Sequence, residues 1–247
     1  VGLMFSFIAY GAGIYLPDGF RSSTDSVQVI SKSTGALIGE VGLYFRPINL
    51  VLVILFTAII ILNILPKINY AYQLIYGNCL LIMFGLVTIF SGLPLLIGLT
   101  IGALGTLAFI VQLIFFGYLV KKLIVDVMKE VKTSLYNEKE IKDKDWGTPI
   151  NKFVKRYGGI LLGLSILNRW TFNFGEFSKD NPGLMSFLSG WLFIPLISLL
   201  LFAEGQILKN FVKSFYFFKY RKEYREYFNI TNEQWYGKFF ARFMSKS

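Results

Sequence analysis

Few residues of this chain could do chemistry in an apolar setting, and each has a plain role beside a sharper one. Glu204, in LLLFAEGQI, is the acidic side chain at the end of a long apolar run. It could couple or gate transport by taking up a proton among the helices. The plainer expectation is an interfacial carboxylate solvated by water, with Gln206 and Asn210 as polar neighbours. Arg169, in ILNRWTF, is the cation inside an apolar run. Its long stem can carry the guanidinium out to the interface. With Asn168 and Trp170 it could instead hold an anionic substrate or lipid headgroup, with Glu40 and Glu176 as counter-charges.

Most other chemistries lack their residues. The chain has no histidine, so it cannot by itself build a histidine-held metalloprotease site, a rhomboid-type serine protease or a histidine-nucleophile phosphatase. Every aspartate lies outside the apolar runs, against the facing pair of an aspartate-based membrane protease. There is no GxxxxGK[ST] phosphate loop, CxxC pair or carboxylate cluster, so neither nucleotide hydrolysis nor a metal or other cofactor is expected. Cys79, the single cysteine, sits in an apolar run and is read as a small packing residue.

The elements that must position these residues are membrane helices. With 54% hydrophobic and 16% charged residues, the composition departs from soluble domains in both directions. Several apolar runs approach the length of about 20 residues that a bilayer span requires. The expected fold is therefore all-α: a polytopic integral membrane protein with about six transmembrane helices, over 2–16, 48–65, 71–90, 95–120, 157–174 and 184–203. The first is short, and nothing in it resembles a cleavable signal peptide. Pro47 and Pro66 bound the second. The sequence SGLP at 91–94 predicts a tight antiparallel turn between the third and fourth, and Pro195 predicts a kink in the last.

Orientation follows from Lys and Arg. Residues 121–156 carry ten and 205–247 carry nine of the 25 in the chain. The loop 17–47 has three and 175–183 one. This places both termini in the cytoplasm and divides the chain into four regions. These are a membrane region at 1–120 with outer loop 17–47, a basic cytoplasmic loop at 121–156, a transmembrane hairpin at 157–204 and a basic aromatic tail at 205–247. The membrane is expected to be a plasma membrane, and a composition rich in Ile, Lys, Asn and Phe points to a bacterial one.

Small residues mark close helix contacts: GxxxG at Gly98 and Gly102 and at Gly159 and Gly163, and the related pair Ala9 and Gly13. Asn49, Asn63, Gln73, Asn78 and Gln112 can hydrogen-bond between helices. In 121–136, Leu123, Ile124, Val127, Met128, Val131 and Leu135 share one helical face opposite lysines. Thr148-Pro149 opens a second such helix. Both are expected as interfacial helices in the headgroup region.

In the tail, one helix continues from the last span to about Tyr227, and Thr231 with Gln234 forms a capping box for the next. There Trp235, Phe239 and Phe243 recur every four residues, as do Lys238, Arg242 and Lys246. Such stripes suit a membrane surface with anionic headgroups or a protein partner. They lack the groove or sheet of a base-stacking platform, so no nucleic acid is expected. The Asn229-Ile230-Thr231 sequon is discounted in a cytoplasmic tail.

The function expected is a non-enzymatic membrane subunit of a transport or secretion assembly, energised or regulated by a partner protein. Two alternatives stand beside it. One is a self-assembling ion channel or pore, a homo-oligomer built on the glycine faces. The other is a lipid-binding, membrane-organising protein.

Overall fold

The computed structural model describes residues 2–22, 31–65, 69–137, 155, 156, 159, 163, 188 and 190–244. They are almost entirely helical and contain no strand. Three helices among them are long and apolar enough to cross a membrane: Lys32–Ile64, Tyr70–Leu135 and Phe193–Lys219.

The chain opens with α1 (Gly2–Tyr10), a π-helical turn (Gly11–Tyr15) and α2 (Leu16–Ser22). Next comes α3 (Lys32–Ile64), capped by the Ser31 hydroxyl, which accepts the Thr34 N–H at 3.1 Å. Most of the expected loop 17–47 is therefore helix, 17–22 in α2 and 32–47 in α3. Pro47 lies inside α3 instead of starting it; packing against neighbouring helices makes an interior proline tolerable. The α2–α3 contact depends on Gly39 and Gly42. A Cβ on Gly39 would lie 2.9 Å from the Arg21 backbone, and one on Gly42 would overlap Pro17.

Helix α4 (Tyr70–Val120) contains the second departure from expectation. Residues 91–94 form no turn: Ser91 and Pro94 are buried within continuous helix. The break is at Gly105, with φ 82° and ψ 169°, a conformation that essentially only glycine adopts. The chain folds back there, as the contacts of α6 (Phe193–Lys219) establish. The first limb, 70–104, runs antiparallel to α6. Leu104 meets Gly190, Gly85 meets Glu204, and Asn78 bonds Ser214. The second limb, 106–120, runs parallel to α6, with Phe109 against Phe193 and then Leu123 against Gly205. The predicted antiparallel pair thus exists, with its reversal eleven residues beyond Pro94.

The second limb continues through a π-helical turn (Lys121–Val125) into α5 (Asp126–Asn137), and both pack on α6. The apolar face read from the sequence is the one that packs: Leu123, Val127 and Val131 are buried. It is covered by α6, where a headgroup-level surface helix was expected. Pro195 sits in the first turn of α6, where the first N–H groups of a helix have no intrahelical partner to lose, and the helical run is interrupted just before it, at Leu192.

The α1–α2 segment, α3 and the two limbs of α4 alternate in direction, and α6 runs the same way as the second limb of α4. At one end lie Ser22, Lys32, Gly105 and Gly190; we call this the Gly105 end. At the other, the Asn69 end, lie Ile64, Tyr70, Asn137 and Lys219. There the chain continues into α7 (Arg221–Tyr227) and α8 (Asn232–Met244). Exposed apolar side chains such as Phe7, Tyr44, Ile54, Ile61, Ile114 and Leu199 cover the outside of the bundle. The span expected over 157–174 and the helix expected after Thr148 lie largely outside the described residues.

Candidate functional site

Two places bring the chemistry-bearing side chains together. The first is the seam where α6 crosses the first limb of α4. Glu204 lies mid-helix here, because α6 continues to Lys219. Only 4% of Glu204 is exposed, and neither carboxyl oxygen has a hydrogen-bond partner among the described residues. The interfacial, solvated carboxylate expected from the sequence is therefore not what the fold builds.

What admits the carboxyl is a pair of glycines. A Cβ on Gly85 would fall onto the Glu204 carboxyl group, 2.7 Å from its Cδ, and one on Gly205 would meet the Leu123 carbonyl oxygen at 2.5 Å. The first limb of α4 thus closes on the acidic group at Gly85, and the π-helical turn closes on α6 at the neighbouring Gly205. Gly85 and Gly205 were not singled out in the sequence; the adjacency of Glu204 and Gly205 was the available signal. An unpaired carboxyl in apolar surroundings is costly in its charged form, and inside membrane bundles such a group marks proton or ion pathways.

Other buried polar groups lie along the bundle. Toward the Asn69 end, Asn78 Nδ2 donates to Ser214 Oγ at 2.9 Å. Toward the Gly105 end, Gln112 Nε2 on the second limb of α4 donates to the Gly190 carbonyl at 3.0 Å, while its own Oε1 is buried without a partner among the described residues. The Thr100 hydroxyl is also buried and unpartnered among the described residues. The amides outside the seam lock neighbouring helices. Asn49 donates to the Gly13 carbonyl at 3.0 Å, taking a group in the π-helical turn, and Asn63 donates to the Tyr76 carbonyl at 3.1 Å.

The glycine faces fall within the chain itself. Gly98 abuts the backbone of Ile38, and Gly102 abuts the Thr34 side chain. Gly13 abuts Ser91, whose hydroxyl donates to the Ala9 carbonyl at 3.3 Å. For Gly159 and Gly163, an added Cβ meets no described atom within 4 Å. Asn168 and Arg169 lie outside the described residues.

The second place is the Asn69 end. The capping box forms as read: Gln234 N–H donates to Thr231 Oγ1 at 3.3 Å, and Thr231 N–H to Gln234 Oε1 at 3.1 Å. The stripe beyond it does not. Gly237, with φ 75° and ψ 162°, breaks the helical backbone of α8 between Trp235 and Lys238, so the regular four-residue spacing read from the sequence is interrupted there. Trp235 turns inward, 4% exposed, with its ring centroid 6.0 Å from that of Phe217. Beside it opens a cavity of about 610 Å³ lined by Asn69, Arg221, Lys222, Arg225, Trp235 and Tyr236, with Glu226 on its wall.

No group of three or more metal-ligating side chains occurs among the described residues. Compared with known proteins, the chain matches no family model, no curated protein and no solved structure.

Proposed function

We propose that this chain is the membrane subunit of a transport or secretion assembly, without catalysis of its own and energised or regulated by a partner protein. The observation that carries the reading is Glu204: a carboxyl buried within the bundle, packed on a glycine and unpartnered among the described residues. A structural role would have been met by any small apolar residue. A carboxyl kept there can take up and release a proton, or hold a cation, as the seam opens and closes. Asn49, Asn63, Asn78 and Gln112 and the glycines of the GxxxG face at Gly98 and Gly102 are engaged inside the bundle, which favours a subunit over a self-assembled pore.

The topology proposed is six crossings with both termini in the cytoplasm of a bacterial plasma membrane. The directions of the described elements support it: the α1–α2 segment, α3 and the two limbs of α4 alternate, and the parallel run of the second limb and α6 calls for one further crossing between them. So does the charge distribution: Lys129, Lys132, Lys213 and Lys222 lie beyond Glu204 toward the Asn69 end, the side that the positive-inside rule assigns to the cytoplasm. That basic half, with α5, α7 and α8, is the surface offered to the partner.

The test is isolation in a mild detergent with intact-complex mass and identification of co-eluting chains. A stoichiometric partner sustains the reading, and Glu204→Gln should then leave complex recovery unchanged while lowering transport at least about tenfold. A chain recovered only as a homo-oligomer, and conducting alone in vesicles, would replace it with the pore.

A further inference from the structure

We infer that the cavity at the Asn69 end is a binding site for a phosphate-bearing anion. The inference does not depend on the transport role. Three cationic side chains, Arg221, Lys222 and Arg225, face the cavity against one carboxylate, Glu226. Both guanidinium groups are held by neutral partners. Arg221 donates to the Phe218 carbonyl at 3.2 Å and lies 4.8 Å from the Phe218 ring centroid and 5.8 Å from that of Tyr72. Arg225 donates to Asn232 Oδ1 and to the Tyr236 hydroxyl. Among the described residues neither is paired with a carboxylate. Their charge is therefore oriented but not neutralised, and a fixed planar fork with donors to spare is the geometry that binds phosphate oxygens.

Two further features converge on the same space. Asn69 lines the cavity and caps the first limb of α4, its Oδ1 accepting the Tyr72 N–H at 3.2 Å. The positive end of that long helix is thus directed at the cavity. The cavity also lies where the exposed apolar surface of α3 ends, at Ile64 and Leu65, and phospholipid phosphates occupy that level beside a membrane helix. The phosphate could come from a lipid headgroup or from solution. The recognition chemistry is the same, and the experiment separates the sources.

The full chain in mild detergent is titrated with phosphatidylglycerol or phosphatidylcholine, and lipid retention is read by native mass spectrometry. Wild type should retain the anionic lipid at least about tenfold better, and Arg221→Gln with Arg225→Gln should abolish that preference. Lys213→Gln, an exposed lysine on α6 outside the cavity, should leave it intact. Should the double variant fail to fold, Lys222→Gln serves in its place, its exposed side chain having no packing role, and retention should fall about fivefold. Inorganic phosphate that displaces the lipid and alters Trp235 fluorescence, a change absent in Trp235→Phe, assigns the site to free phosphate. Lipid binding that phosphate does not displace assigns it to a headgroup. Equal retention of the two lipids by wild type, or undiminished preference in the arginine and lysine variants, overturns the inference.

Discussion

Charge is handled in opposite ways at the centre of the bundle and at its Asn69 end. Glu204 is enclosed, touches a glycine and has no partner among the described residues. Arg221 and Arg225 are splayed around an open cavity by carbonyl, amide and aromatic groups. At the centre the surroundings penalise a charge and leave it no solvent. At the end, neutral contacts fix the position of a charge that water or a ligand can still reach. An enclosed acid suits a group that changes state, and a fixed, accessible cation suits a group that binds.

The same contrast appears in two glycines with nearly the same backbone angles, and substituting them gives the largest expected difference. Gly105 and Gly237 both have positive φ, at 82° and 75°. Alanine at either position carries local strain of about 1–3 kcal/mol. At Gly105, which is buried, that strain falls on the reversal through which the two limbs of α4 pair. Gly105→Ala should therefore lower the melting temperature in detergent and the yield of folded chain. At Gly237 nothing lies within 4 Å of an added Cβ, so Gly237→Ala should redirect the end of α8 and leave the melt nearly unchanged. Equal melts would show that the bundle does not depend on the turn.

A smaller effect is expected within the first limb of α4. Gly85→Ala drives a methyl group into the Glu204 carboxyl, and overpacking of this kind costs about 1–3 kcal/mol. Gly77→Ala meets nothing within 4 Å and should gain up to about 1 kcal/mol from helix propensity. Opposite shifts in thermal stability would confirm the enclosure of Glu204. A neutral Gly85→Ala would mean that the carboxyl has room to leave. The smallest effect should come from Ser214→Ala, which removes the partner of Asn78 across the seam. Bonds of this kind average about 0.6 kcal/mol in membrane bundles, and Asn78 also donates to the Leu74 carbonyl at 2.9 Å. A loss above about 2 kcal/mol would reveal a seam more cooperative than these pairwise bonds imply.

Much of the bundle was legible from composition and periodicity. The apolar face of 121–136, the capping box at Thr231 and Gln234, and the small-residue contacts at Ala9, Gly13, Gly98 and Gly102 all depend on residues a few positions apart, whose geometry a helix dictates. The turn was misplaced because SGLP contains both a proline and a glycine, whereas GALGT contains no proline. What decides between them is which glycine must take positive φ once the limbs pair. The glycines of α3 were overlooked because residues 32–47 read as loop, although Gly35 and Gly39 form a GxxxG pair. The candidate site was only half visible. Glu204 stood out, but Gly85 lies 119 residues away and carries no local signal.

The sequence by itself determined that the chain is helical, that its helices are apolar enough for a membrane and that its positive charge gathers on one half. These properties follow from side-chain type and short-range spacing. Only the tertiary structure decided where the chain reverses, that Glu204 is enclosed instead of solvated, and that Trp235 is buried beside Arg221, Lys222 and Arg225. Those outcomes depend on which distant backbones approach closely enough to exclude a Cβ or to surround a charge, and that closeness is set by packing between segments far apart in the chain.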